Sequence, residues 1–288
     1  MNEINLGEQK INLPSLLRKN DSIVFQRLNT GIGDIILCLP IFEELQKKYS
    51  INSFFDIKKN YFLLLEDNPY CSSFNQEQID LKINLTNFFE NNSSLKKHRL
   101  DFLAKALGLK LQKKKSILHN NKFILSSEIE TLLPPKYGLV FINSNNYCRQ
   151  IPHPLALKIQ QKLSYVLNMD ILFFYSECIM IDGKFLSTSL ENLLALIKKS
   201  QICVGVDSGP MHIAGALNVP FVVISNVVDP QLRYKYYDNW ENIVTFLNLD
   251  CLYECEHKCD FDFCPPCLQF LDLNDLIQKA EELLNGKS

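Results

Sequence analysis

Cys203-Val204-Gly205-Val206-Asp207-Ser208-Gly209-Pro210-Met211-His212-Ile213-Ala214-Gly215-Ala216-Leu217-Asn218-Val219-Pro220-Phe221-Val222-Val223-Ile224 decides how this chain is read. The runs 203–206 and 221–224 have the unbroken apolar character of strands buried on both faces. Between them Asp207, Ser208 and Gly209 make a turn, and Pro210 opens a short helix. Proline at the first helical position loses no intrahelical hydrogen bond, and Ser208 or Gly209 is suited to cap it. The turn therefore presents free backbone N–H groups and the positive end of a helix dipole. That combination predicts an anion site, most naturally for phosphate.

The rest of the composition limits what such a site serves. The chain has 288 residues, 47% of them apolar, enough for two cores of ordinary size. A formal net charge of −2 offers no overall attraction to nucleic acid or an anionic membrane. Glu3, Glu8 and Lys10 stand where a secretory leader would be apolar, and runs such as 35–39 are too short to span a bilayer. A cytoplasmic protein is expected. Of the ten cysteines, Cys38, Cys71, Cys148, Cys178 and Cys203 are scattered, several in apolar runs where cysteine is an ordinary core residue. The other five crowd between Cys251 and Cys267, which in a reducing compartment suggests metal more than disulfides.

Working outward, the first half repeats the strand, turn and helix pattern. Residues 1–20 read as polar and irregular, and 22–28 as a first strand. Asn29-Thr30-Gly31-Ile32-Gly33-Asp34 then leads into a helix over 35–49, with Ile35, Ile36, Leu39, Phe42 and Leu45 at helical spacing. Pro40 predicts a kink there. Asp34 falls at a helix N-terminus on the rim of a parallel sheet, where ligands bind. The plain alternative is an acid favoured by the dipole alone. The turn lacks the third glycine of a dinucleotide fingerprint and is not a P-loop. Weaker signals give a strand at 53–57, a helix at 61–66, a strand at 79–85, and a helix at 97–107 stopped by Gly108. Periodicity fades over 110–136, which holds Lys113-Lys114-Lys115 and Pro134-Pro135. The domain boundary is placed there, giving domains 1–135 and 136–288.

The second half alternates more clearly: strand 138–143, helix 154–167, strand 171–175, helix 190–199, the opening stretch, strand 243–246 and helix 273–284. The class is α/β, two Rossmann-like halves that form a cleft when they face one another. The loop 144–153 lies at the carboxyl end of a strand, so Arg149 is within reach of an anion held at 208–212. Its guanidinium fork suits a diphosphate; a plain surface arginine is the alternative.

Gly33-Asp34 followed by Pro40, Arg149 two residues before Ile151-Pro152, and Val206-Asp207-Ser208-Gly209-Pro210-Met211-His212-Ile213-Ala214 resemble glycosyltransferase family 9, the ADP-heptose:lipopolysaccharide heptosyltransferases and their relatives. The resemblance runs over 23–284 and is faint between about 50 and 135. Residues 99–109 also look like that family's arginine-rich helix ending in Leu-Gly-Leu. What it implies is a GT-B architecture, with the nucleotide sugar on the C-terminal domain and the acceptor on the N-terminal one. Asp34 matches the family's general base, and Gly31 and Gly33 its acceptor-side loop. Ser208, Gly209 and His212 match positions that hold the donor diphosphate, Asp207 one that contacts sugar hydroxyls, and Arg149 a basic residue of the phosphate-facing loop.

The implied reaction transfers heptose or a related sugar from an ADP-linked or similar donor. The acceptor is a glycan, a lipid-linked core or a protein hydroxyl, in the cytoplasm or peripheral to the inner membrane. Attack comes from the face opposite the leaving nucleotide, with inversion. Fixed dipoles and cations at the phosphate stabilise the charge that develops there. No catalytic divalent metal is expected: Asp260-Phe261-Asp262 has the letters of a metal motif but lies inside the cysteine cluster. Ile151 stands where the family commonly has Trp, and Asn143-Ser144-Asn145 replaces a Pro-Gly-Ala-like strand exit, which leaves the base and the sugar open.

Cys251, Cys255, Cys259, Cys264 and Cys267, with His257 among them, are enough for a tetrahedral structural zinc or iron site; which of them ligate is open, as are disulfides and free thiols. Two other functional classes stay open as well. One is a noncatalytic nucleotide-sugar-binding or scaffold protein of the same fold; the other is an interaction module built on the cysteine loop.

Overall fold

Short apolar runs alternating with amphipathic segments fold here into β-α units, twice over. A computed structural model describes residues 2–6, 10–18, 21–27, 31–74, 79–91, 97–120, 122–144, 149–175, 177–226, 228–245, 267–268 and 271–286. The chain divides into two compact units, 1–122 and 123–288. The division falls inside the span 110–136, ahead of the boundary drawn at 135/136.

The first unit has a five-stranded, all-parallel sheet of β1 (Asn2–Asn5), β2 (Ser22–Gln26), β3 (Asn52–Asp56), β4 (Cys71–Ser73) and β5 (Leu81–Asn84), in the order β1-β5-β2-β3-β4. The helix Ile32–Tyr49 covers it and begins three residues earlier than the periodicity indicates, so Gly33 and Asp34 stand in its first turn. Pro40 sits inside this helix without ending it. Phe42 fixes it to the sheet between Phe25 and Phe55, with ring centroids 5.3 and 5.4 Å away. Gly108, at φ +69°, ends the helix Arg99–Ala106 in the left-handed conformation glycine allows, as the sequence predicts.

Two expectations in this half are corrected. Residues 1–20 are not simply irregular: β1 forms a sheet edge, and Leu6 and Leu13 are fully buried. The segment at 61–66 is part of a 3₁₀ helix, Lys59–Leu65, not an α-helix.

The second unit has seven strands: β6 (Tyr137–Phe141), β7 (Asp170–Tyr175), β8 (Cys178–Ile181), β9 (Lys184–Ser187), β10 (Cys203–Val206), β11 (Phe221–Ser225) and β12 (Trp240–Val244), in the order β12-β11-β10-β6-β7-β8-β9. The sheet is parallel from β12 to β7 and ends in an antiparallel hairpin, β8 and β9, which the sequence reading lacks. Every residue of β6, β10 and β11 is buried, the double-sided cover that their unbroken apolar runs require. Helices His153–Leu167 and Leu273–Asn285 supply one face of that core with Ala156, Ile159, Leu163, Leu276, Ile277 and Ala280. The last strand begins at Trp240, three residues before the predicted start at 243.

Strand order sets where ligands go. After β2 the chain turns one way to β3, and β5 lies on the other side; after β6 it turns one way to β7, and β10 lies on the other side. The carboxyl ends of β2 and β5, and of β6 and β10, are therefore topological switch points, where parallel sheets open a crevice.

Candidate functional site

The switch point of the second unit brings together two loops far apart in sequence. The loop after β6 carries Arg149 and the loop after β10 carries Asp207, and their side chains pair with Arg149 Nη1 2.9 Å from Asp207 Oδ2. Backbone bonding fixes the Arg149 loop: Ile151 N–H donates to Ile142 O at 3.0 Å and Gln150 Nε2 to Ser144 O at 3.0 Å. Arg149, expected to reach an anion held at this turn, pairs with the turn's own aspartate.

The helix after β10 spans Gly209–Ala216, with Ser208 in extended backbone conformation at its N-cap. Pro210 falls at the second helical position, where its missing N–H is still one that no helical carbonyl would have received. Ser208 occupies the cap position without making the cap bond. Its Oγ is buried and has no hydrogen-bond partner among the described residues. Buried hydroxyls are nearly always bonded, so this unused one beside a helix N-terminus is an exception.

Asp207 is 6% exposed and both its oxygens are engaged: Tyr234 Oη donates to Oδ1 at 2.5 Å, opposite the Arg149 pair on Oδ2. Burial pushes the carboxyl pKa up, but the charges of Arg149, Arg233 and His212 and the Tyr234 hydrogen bond outweigh it. The result is about 2 against an ordinary 3.8. Burial and the adjacent carboxylate hold the Tyr234 phenol well above its usual value, so Tyr234 stays a donor. The Tyr234 ring also stacks on the His212 imidazole, with centroids 4.6 Å apart and planes 23° apart. Tyr237 Oη lies 3.2 Å from His212 Nδ1. Tyr234, Tyr237 and Arg233 did not stand out in the sequence, since no motif or period marks them.

In the first unit Asp34 sits at the β2/β5 switch point, in the first turn of its helix, its backbone N–H bonded to Gly31 O at 3.1 Å. Two arginines converge on it. Arg27, directly after β2, pairs with Oδ2, and Arg99 Nη1 lies 2.8 Å from Oδ1. Arg99 is the first residue of its own helix, where the dipole disfavours a cation; Asp34 supplies the opposing charge. The cluster of two arginines and one aspartate carries a net positive charge. A Cβ at Gly31 would meet Asp34 Oδ2 at 3.8 Å, an ordinary contact. One turn along, burial and the Asp34 charge push the Cys38 thiol up to about 12, which makes it a core residue rather than a nucleophile.

Cys38, Cys71 and Cys203 are buried and free, as the sequence reading has them. Cys251, Cys255, Cys259 and Cys264 lie outside the described residues, as do Cys148, His257, Asp260 and Asp262. Cys267 is described, and Asn226 Nδ2 donates to its Sγ at 3.4 Å. Among the described residues there is no group of three His, Cys, Asp or Glu side chains arranged to hold a metal. No helix of the described residues is long and apolar enough to cross a membrane.

Residues 178–263 match the model of glycosyltransferase family 9 (heptosyltransferase), a span that includes the Asp207–His212 turn but neither Asp34 nor Arg149. Among solved structures the chain resembles a glycosyltransferase family 9 protein from Veillonella parvula DSM 2008, at 17% identity and a TM-score of 0.69, covering 94% of this chain and 99% of the other. The iron-containing dodecameric glycosyltransferase TibC from enterotoxigenic E. coli H10407 is similar at 12% identity and a TM-score of 0.66, over 94% of this chain and 79% of TibC. E. coli heptosyltransferase WaaC with ADP is similar at 13% identity and a TM-score of 0.62, over 91% of this chain and 99% of WaaC. The sequence matches none of the curated proteins. These findings bear out the resemblance to glycosyltransferase family 9 and the α/β, GT-B fold class, and the family match supports a glycosyltransferase.

Proposed function

We propose that the chain transfers a sugar, heptose or a related one, from an ADP-linked donor to a hydroxyl of a glycan, a lipid-linked core or a protein. The observation that carries this reading is the unused, buried Ser208 Oγ at the N-terminus of helix Gly209–Ala216, beside the Arg149–Asp207 pair. Backbone dipole, hydroxyl and guanidinium there suit a diphosphate leaving group, whose charge grows as the sugar–phosphate bond breaks. In this reading Ser208, Gly209, Arg149 and His212 hold the phosphates. Asp207 acts by orienting Arg149 and Tyr234, since its own oxygens are taken by them. Asp34 accepts the acceptor hydroxyl's proton as that oxygen attacks the anomeric carbon from the opposite face, with inversion and without a catalytic metal. One of the Asp34 ion pairs must then give way to the incoming hydroxyl.

That same pairing favours a second reading. A noncatalytic nucleotide-sugar binder of this fold would keep Asp34 clasped by Arg27 and Arg99. The two readings share donor binding and differ in turnover. A thermal-shift screen against a panel of nucleotide sugars tests what they share: ADP-heptose or a close analogue should raise the melting temperature by several degrees at saturating concentration. Indifference to every member of the panel would overturn both. Transfer by the wild type then separates them.

The cysteine cluster is read as a structural metal site. Its spacing supports this, as does the Asn226 N–H donated to Cys267 Sγ, a contact that suits a thiolate ligand. Elemental analysis of protein purified under reducing conditions should find close to one zinc or iron per chain, and its absence would remove the reading.

A further inference from the structure

We propose that Tyr237 and Tyr234 are positioning residues that fix the tautomer and the plane of His212, so that its Nε2–H is the proton presented to the donor diphosphate. This rests on the reading of His212 as a phosphate-binding residue.

Three observations lead to it. First, the ring of Tyr237 lies directly on the backbone of helix Gly209–Ala216, and only glycine at 215 permits this. A Cβ there would stand 2.6 Å from Tyr237 Cγ and 2.7 and 2.8 Å from Cδ1 and Cδ2, closer than carbon atoms approach. Second, that seating brings Tyr237 Oη to 3.2 Å from His212 Nδ1, three residues back on the same helix face. Third, the imidazole is held in plane from another side by the Tyr234 ring, which is tethered through its hydroxyl to Asp207. His212 is 4% exposed, so its orientation is set by these neighbours rather than by solvent.

The chemistry of a neutral imidazole does the rest. One ring nitrogen carries the proton and the other accepts, and the partner of one decides the state of the other. If Nδ1 carried the proton, it would donate to Tyr237 and leave Nε2 a bare lone pair, which repels a phosphate oxygen. With Tyr237 donating to Nδ1, the proton resides on Nε2 and the imidazole is a donor. Tyr237 thus does for His212 what a carboxylate or carbonyl does for a metal-bound or catalytic histidine, with the polarity of the hydrogen bond reversed.

The test reads the tautomer directly. The full chain, labelled with ¹⁵N-histidine, contains His98, His119, His153, His212 and His257, and the His212→Gln variant identifies the His212 signals by their loss. Above its titration the wild type should show His212 as the Nε2–H tautomer. Tyr237→Phe, which keeps the ring and removes only the hydroxyl, should convert it to a mixture and weaken ADP binding about tenfold in calorimetry. Gly215→Ala should do the same by displacing the ring. A wild-type His212 protonated on Nδ1, or a tautomer unchanged in Tyr237→Phe, overturns the proposal. Failure of the wild type to bind ADP overturns the donor reading instead, and the spectrum still decides the tautomer.

Discussion

Asp34 and Asp207 both stand at switch points of their sheets and are held in opposite ways. Each follows a strand at a switch point and lies at the start of a helix. Asp207 is sealed between Arg149 and Tyr234, 8% exposed at its side chain, in a setting of aromatic rings. Asp34 is 12% exposed at its side chain and pairs with two arginines, themselves 10% and 22% exposed. The first is an internal strut whose charge never has to change. The second is a carboxylate held by ion pairs that a polar ligand is able to exchange. In the proposed reading, the partners of each aspartate decide whether it takes part in chemistry or positions what does.

The sharpest way to break this contrast is Asp34→Asn. Transfer should fall by a factor on the order of 10²–10⁴, the usual worth of a general base, while ADP binding and fold are retained. Transfer at the wild-type rate by the variant would remove Asp34 from the reaction. Asp207→Asn should do the reverse, lowering stability by roughly 3 kcal/mol or more, because Arg149 is left buried without its counter-charge. Thermal unfolding measures this, and a melting temperature within a degree of the wild type would refute the strut.

A smaller effect separates the two by pH. The native Asp207 pKa of about 2 lies below its ordinary 3.8, so the unfolded chain binds the proton more tightly. Stability from this group is complete above about pH 4 and is lost as the pH falls through about 2. The amount is about 2 kcal/mol and should be missing from the acid unfolding curve of Asp207→Asn. The smallest expected change is Gly31→Ala. Backbone φ there is −87° and the new methyl has room, so stability should move by less than about 1 kcal/mol. A rise in acceptor KM with unchanged donor affinity would mark the space before Asp34 as the acceptor's.

How much of this the sequence carries depends on the range over which each feature is made. The strand, turn and helix around Asp207 are local, encoded by two apolar runs, a proline and a serine within about twenty residues, and they read correctly. The helix after Gly33-Asp34 reads for the same reason. Arg149 meeting the turn follows from the α/β alternation alone, since both loops leave the carboxyl edge of one sheet. The clasp on Asp34 does not read, because Arg99 lies 65 residues away and nothing in its own helix announces a partner. Tyr234 and Tyr237 are hidden differently. A tyrosine near the end of a sheet signals packing, and only the bare backbone at Gly215 reveals that one is aimed at His212. The hairpin β8–β9 and the edge strand β1 are too short for any period to show.

That edge strand has a consequence for the order of events in folding. β1 is made of residues 2–5, and among the described residues its strand partner is β5, with Asn2 opposite Leu81 and Asn5 opposite Asn84. Ile11 and Leu13 likewise donate their backbone N–H groups to Ala106 and Leu107, closing the end of the Arg99 helix. Residues 2–5 therefore wait with open hydrogen-bonding groups until residues 81–84, on the far side of their own unit, have been made. The N-terminal unit completes itself by a long-range closure, which makes its assembly slower than its short helices suggest.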